Sequence, residues 1–142
     1  MVPKRLLIDL NVVLDVLQAR APHQAMSAAV LAAAERGVVE GWIAAHSMTT
    51  LHYLYAKSRS PEVARNTLAA LLGFLHVAPV DENVIRNALA LPYRDFEDAV
   101  QMAAALAIDA SCVVSRNIKD FRAGPLPVYS PADCLPLLRS SG

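Results

Sequence analysis

The chain has 142 residues, enough for one domain with an ordinary core, and a hydrophobic content of 55% places it among folded proteins. Its 13 basic and 13 acidic residues give a net charge of +0, which excludes a protein that grips nucleic acid by bulk electrostatics. Charges interrupt every apolar run before it reaches bilayer length, which excludes a membrane-spanning helix.

In chain order, the pattern alternates strand with helix. Leu6, Leu7 and Ile8 read as a buried strand over 5–9, and a short helical segment follows through Leu17. Pro22 opens a helix that runs through Ala34 and is closed by Gly37. Residues 38–44 form the second strand. Ser47 is placed to cap a helix through Leu51 and Tyr55, and Ser60-Pro61-Glu62 starts another that ends near Gly73. A short strand at 75–79 precedes a helix capped by Asp81, and an Ala-rich helix spans 94–107. Residues 112–115 make a strand, 128–129 a short last strand, and Pro131 opens a closing helix. Strands separated by helices imply a mostly parallel sheet covered on both faces, in a single domain over 1–142. No repeat, linker or low-complexity tract divides it.

Three acids stand in core-like company: Asp9 after Leu7-Ile8, Asp98 before Ala99-Val100, and Asp120 before Phe121. A buried carboxylate is costly unless a cation or hydrogen-bond donors meet it. In parallel sheets, ligands sit beyond the carboxyl ends of the strands. Asp9 ends the first strand, and Asn117 and Asp120 follow the Val113-Val114 strand, so topology brings them to one edge. An acidic pocket there suits a hard divalent cation, which takes oxygen ligands and keeps several waters. Asp9 has a second reading as a helix cap, Asp98 as a solvated helix residue and Asp120 as a turn acid. Asp95 and Asp98 share a helix face while Glu97 points elsewhere, and Asp15 reads as a surface acid. The four histidines lack zinc spacing, and no Gly-rich phosphate loop or Ser nucleophile motif is present. The two cysteines, Cys112 and Cys134, match no disulfide framework or metal spacing. The basic start at Lys4-Arg5 is broken at once by Asp9, so no export signal is expected and a cytoplasmic location is the default.

Leu7-Ile8-Asp9-Leu10-Asn11-Val12-Val13-Leu14-Asp15 resembles the opening motif of PIN domains. Asp95-Phe96-Glu97-Asp98-Ala99-Val100-Gln101 resembles their third block, and Val114-Ser115-Arg116-Asn117-Ile118-Lys119-Asp120-Phe121 their C-terminal loop. The motifs cover nearly the whole chain in the expected order, and the size resembles the VapC-like toxins of type II toxin–antitoxin pairs. The resemblance implies a three-layer α/β/α sandwich and a Mg2+- or Mn2+-dependent ribonuclease. Asp9 and Asp98 would then be the metal ligands, with Asn117 and Asp120 completing the catalytic set from the last loop. Asn11, Thr50 and Asp95 would stand around it, and Arg116 would meet a substrate phosphate.

One departure bears on activity. Thr50, in Met48-Thr49-Thr50-Leu51, occupies the position where the family has a glutamate. A hydroxyl can hold a water but cannot balance a cation's charge. Two functions therefore stay open: an RNA-cutting toxin held by an antitoxin, or a PIN-like domain that binds RNA or a protein without cutting. A receiver-like domain phosphorylated on Asp9 is disfavoured, since neither the paired acids nor the partner lysine is present. Toxins of this kind form homodimers whose antitoxins lay a helix in a groove, and the high apolar fraction agrees with an interface.

Overall fold

The computed structural model describes residues 3–121 and 124–139. Five strands, β1 (Arg5–Ile8), β2 (Glu40–Ala44), β3 (Leu75–Ala78), β4 (Cys112–Val114) and β5 (Val128–Tyr129), form one sheet. The spatial order is β3-β2-β1-β4-β5 and every pairing is parallel. Seven helices connect them: α1 (Leu10–Leu17), α2 (Gln24–Glu35), α3 (Ala45–Ser58), α4 (Pro61–Leu71), α5 (Glu82–Leu89), α6 (Phe96–Ala107) and α7 (Pro131–Leu138).

Alternation along the central strands sorts the core into two layers. Leu6, Ile8, Cys112 and Val114 face the side covered by α1, α2, α3 and α7. Leu7 and Val113 face the opposite side, against α5 and α6. Strands buried on both faces read as continuous Leu, Ile and Val, as β1 and β4 do. On α6, Ala99, Ala103, Ala104 and Ala105 are all buried, and their small side chains let the helix lie close to the sheet. The three-layer α/β/α arrangement expected from the sequence is the one observed.

Details at three helix starts differ from expectation; α6 begins at Phe96 rather than at residue 94, after its cap Asp95. Gln24, not Pro22, begins α2, because Pro22 and His23 lie in the preceding turn. Ala45 begins α3 directly from β2, with Ala44 as the cap position. Ser47, expected as the cap, is inside the helix and fully buried, because no loop separates strand from helix. By contrast, Ser60, Asp81 and Ser130 cap α4, α5 and α7, each accepting from a first-turn backbone N–H. Both cysteines are free thiols in the core.

Candidate functional site

The strand order reverses between β1 and β4, which makes their carboxyl ends the switch point of the sheet. Continuing the strand register by one or two residues sets Asp9 level with Ala44 beyond β1's neighbour on one side and with Ser115 on the other. Asp9 is the N-cap residue of α1, yet its side chain makes no capping bond. Its two oxygens are instead claimed from across the sheet edge. Ser115 Oγ donates to Oδ2 at 2.9 Å, and Gln101 Nε2 of α6 donates to Oδ1 at 3.1 Å. The backbone N–H of Asp9 donates to Val114 O at 2.9 Å. Asp9 is only 4% exposed, so these donors are what make its burial tolerable. The helix-cap alternative is thereby set aside.

Ser115 has a second task. Its hydroxyl accepts from the Asn117 backbone N–H at 3.1 Å, so one buried side chain joins Asp9 to the loop after β4. Asn117 itself is exposed. Asp120 stands in a single 3-10 turn, Ile118–Phe121; its side chain, like Arg122, lies outside the described residues. Phe121 is fully buried and anchors that turn, and Tyr93 donates its hydroxyl to Phe121 O at 3.2 Å. A Cβ on Gly124 would lie 1.5 Å from Tyr93 Oη, so only glycine lets the tyrosine seat there.

The other acids fall as follows. Asp95 caps α6, accepting from the N–H groups of Glu97 and Asp98, so it stands just before the helix on the side of Asp98. Asp98 is half-buried in the first turn of α6, and its charge adds to burial in raising the Tyr93 pKa above its ordinary value. Glu97 is exposed. Partial burial raises its carboxyl pKa, and the charges of Asp95 and Asp9 raise it further. Asp15, expected on the surface, is fully buried. It accepts from Ser27 Oγ at 3.2 Å, and Arg116 Nε lies 2.9 Å from its Oδ2 as an ion pair whose angle is not that of a hydrogen bond. Arg116 thus ties the last loop to α1. Asn11 is half-buried on α1 and Thr50 half-buried on α3.

The residue that sequence reasoning passed over is His46. It is the second residue of α3, just beyond the carboxyl end of β2. Burial lowers the imidazole pKa below its ordinary value, and the opposing influence is the negative charge of Asp9. Both ring nitrogens are buried without a hydrogen-bond partner among the described residues. A signal existed, since His46 and Thr50 are one helical turn apart on α3 and share a face. Gln101 gave a second one, as a polar residue inside Ala99-Val100-Gln101-Met102-Ala103.

The donor chemistry suits a hard cation. Each carboxylate oxygen of Asp9 has lone pairs beyond the bonds described, and α1 and α3 both begin at this edge without side-chain caps. Among the described residues no three acid, histidine or cysteine side chains stand close enough to enclose an ion. One or two carboxylates with waters and substrate phosphate suffice for Mg2+, so the set fits an open site and not a closed cage.

Comparison with known proteins agrees in fold. A family model described as PIN domain matches residues 5–119. No curated protein matches the chain. A toxin–antitoxin complex from Klebsiella pneumoniae superposes with a TM-score of 0.69 at 21% identity, covering 88% of this chain and 96% of that one. VapBC2 from Rickettsia felis, bound to a fragment of its promoter DNA, gives a TM-score of 0.66 at 17% identity, covering 87% and 96%. Mycobacterium tuberculosis VapC20, a Sarcin-Ricin loop cleaving toxin, gives 0.61 at 14% identity, covering 76% and 86%.

Proposed function

Because this chain belongs to the PIN-domain family, we propose that it is a metal-dependent endoribonuclease and the toxin of a toxin–antitoxin pair. The observation that carries the reading is the buried Asp9 carboxylate at the switch point, held from two sides by Gln101 and Ser115. Asp9 and Asp98, with Asn117 and Asp120 from the last loop, would hold Mg2+ or Mn2+. When bound, such an ion makes water a stronger nucleophile and offsets charge on a phosphodiester.

The chain's own residues do the rest. Gln101 and Ser115 fix the direction of the Asp9 lone pairs. The uncapped starts of α1 and α3 aim backbone N–H groups at the edge where a phosphate would lie. Arg116, paired with Asp15, steadies the loop that carries Asn117. Asp95 sets the start of α6 and so the position of Asp98. Thr50 and Asn11 offer neutral donors for water. With zero net charge, RNA binding depends on such local contacts rather than on the whole-protein field.

Similar folds in toxin–antitoxin complexes support a protein antitoxin as partner. A homodimer and a cytoplasmic setting complete the reading, and among the described residues no helix is long and apolar enough to cross a membrane.

The test is cleavage of a mixed structured and single-stranded RNA pool with Mg2+ or Mn2+. Wild type should cut, a chelator should stop it, and Asp9→Asn should be inactive while still folded. The second reading, RNA or partner binding without cutting, draws on Thr50 and on the open donor set among the described residues. It takes over if wild type cuts under neither metal yet still binds RNA.

A further inference from the structure

We propose that the outward side of α3, at Thr49, Tyr53 and Lys57, is a track for the single-stranded RNA that flanks the cut, with Tyr53 as the platform on which one base stacks; this rests on the nuclease reading above. α3 starts at the carboxyl end of β2, beside the strand that delivers Asp9. Thr49, Tyr53 and Lys57 are exposed and spaced four apart, so they line one side of the helix as it leaves that edge. Tyr53 is 60% exposed, and the Lys57 ammonium stands 5.1 Å from its ring centroid, which presents an aromatic surface and a cation together. Stacking on an aromatic beside a cation holds single strands without reading their sequence.

Charge is the second, independent observation. From 41 to 80 the chain carries Lys57, Arg59 and Arg65 against Glu62 alone, within a protein of net charge +0. All three cations are exposed and none forms an ion pair among the described residues, whereas Arg5, Arg86 and Arg116 are each paired with an acid. Unpaired cations on the α3–α4 hairpin suit a polyanion. A partner helix laid in a groove would need an apolar strip, and this side of α3 offers hydroxyl, phenol and ammonium instead. Tyr53 comes eight residues after Ala45, the start of α3, which is about 12 Å along the helix. A strand with about 3.4 Å between phosphates covers that in about three or four nucleotides, so the platform meets the flank of the RNA.

The experiment is fluorescence anisotropy on the full chain, in chelator so that nothing is cut, with a labelled unstructured RNA of about twelve nucleotides and an abasic strand of the same length. Tyr53→Ala should weaken RNA binding about tenfold, the worth of one stacked base, and Tyr53→Trp should restore it. The abasic strand has nothing to stack and should bind wild type and Tyr53→Ala alike. Lys57→Gln should flatten the slope of log affinity against log salt by about 0.7, the share of one phosphate contact on a single strand. Arg86→Gln, on the opposite face of the sheet, should leave that slope unchanged. Tyr53→Leu gives the same reading should the alanine variant not fold. Equal RNA binding by wild type and Tyr53→Ala overturns the track, and so does an equal loss on the abasic strand. Polyglutamate binding as tightly as RNA, with the same dependence on Tyr53, also overturns it, by making this side a surface for acidic protein. Tyr53-dependent RNA binding without cutting under Mg2+ or Mn2+ supports the track and removes the nuclease reading alone.

Discussion

Ser115→Ala is the sharpest single perturbation of the site, because Ser115 touches neither solvent nor substrate yet holds two things in place. It donates to Asp9 Oδ2 at 2.9 Å and accepts from Asn117 N–H at 3.1 Å, and it is fully buried. A hydrogen bond to a charged group contributes about 1.5–3 kcal/mol, and a neutral one about 0.5–1.5 kcal/mol. Asn117 is exposed, so water can replace the second bond and its loss counts for little. The expected loss is therefore roughly 2–3 kcal/mol, dominated by the carboxylate left one donor short. For a chain of this size that is a fall in melting temperature of about 6–10 °C. Urea denaturation gives the free energy and a thermal melt gives the shift. The Asp9→Ala, Ser115→Ala double-mutant cycle should return a coupling of about 1–2 kcal/mol. Ser111→Ala is the control, since Ser111 Oγ only accepts from the Lys4 N–H at an exposed position, and it should move stability by less than about 0.5 kcal/mol. A Ser115→Ala loss no larger than that control, with no coupling to Asp9, would refute the reasoning that this hydroxyl holds the carboxylate.

Asp15→Asn keeps an acceptor for Ser27 but leaves Arg116 facing an amide; with Arg116 partly exposed, the cost should be about 2 kcal/mol in urea melts. Gly124→Ala drives a methyl into the Tyr93 hydroxyl and should cost about 1–3 kcal/mol, detected as a lower urea midpoint. Leu51→Ala empties a fully buried position and should cost about 2–5 kcal/mol by the same measurement. Mn2+ at one hundred times its dissociation constant should add about 2.7 kcal/mol of stability, removed by chelator and absent in Asp9→Asn; calorimetry reads it directly. Thr50→Glu should tighten Mg2+ binding in titration calorimetry, because it adds a hard, charged oxygen on the face shared with His46.

The sheet and its switch point were legible because β1 and β4 carry unbroken apolar runs and because Ser60, Asp81 and Pro131 mark helix starts in their side chains. Asp9 was legible as an acid in apolar company. The side chains that make its burial possible were not, since Gln101 and Ser115 meet it from sequence separations of 92 and 106. Asp15 was misread because its partner Arg116 is equally remote, and a single acid on a short helix looks solvated without it. The helix expected from Arg94 begins two residues later, at Phe96, because Asp95 folds its side chain back onto the first-turn N–H groups as the cap. His46 escaped notice because β2 was expected to reach its helix through a capped turn at Ser47, which would have left His46 in a loop.

The direct passage from β2 into α3 also fixes what kind of sequence change the site can absorb. Asp9 and Ala44 each serve as both the end of a strand and the cap of a helix, with no spare residue between. Inserting one residue after Ala44 would turn the rest of α3 by about 100° and slide it by about 1.5 Å, carrying His46 and Thr50 off the side of the helix they now share. Substitutions along this edge are graded, but length is not. Additions and deletions in a chain of this design fit the turn before α2 or the crossing from α5 to α6, and the two junctions at the site keep their residue count.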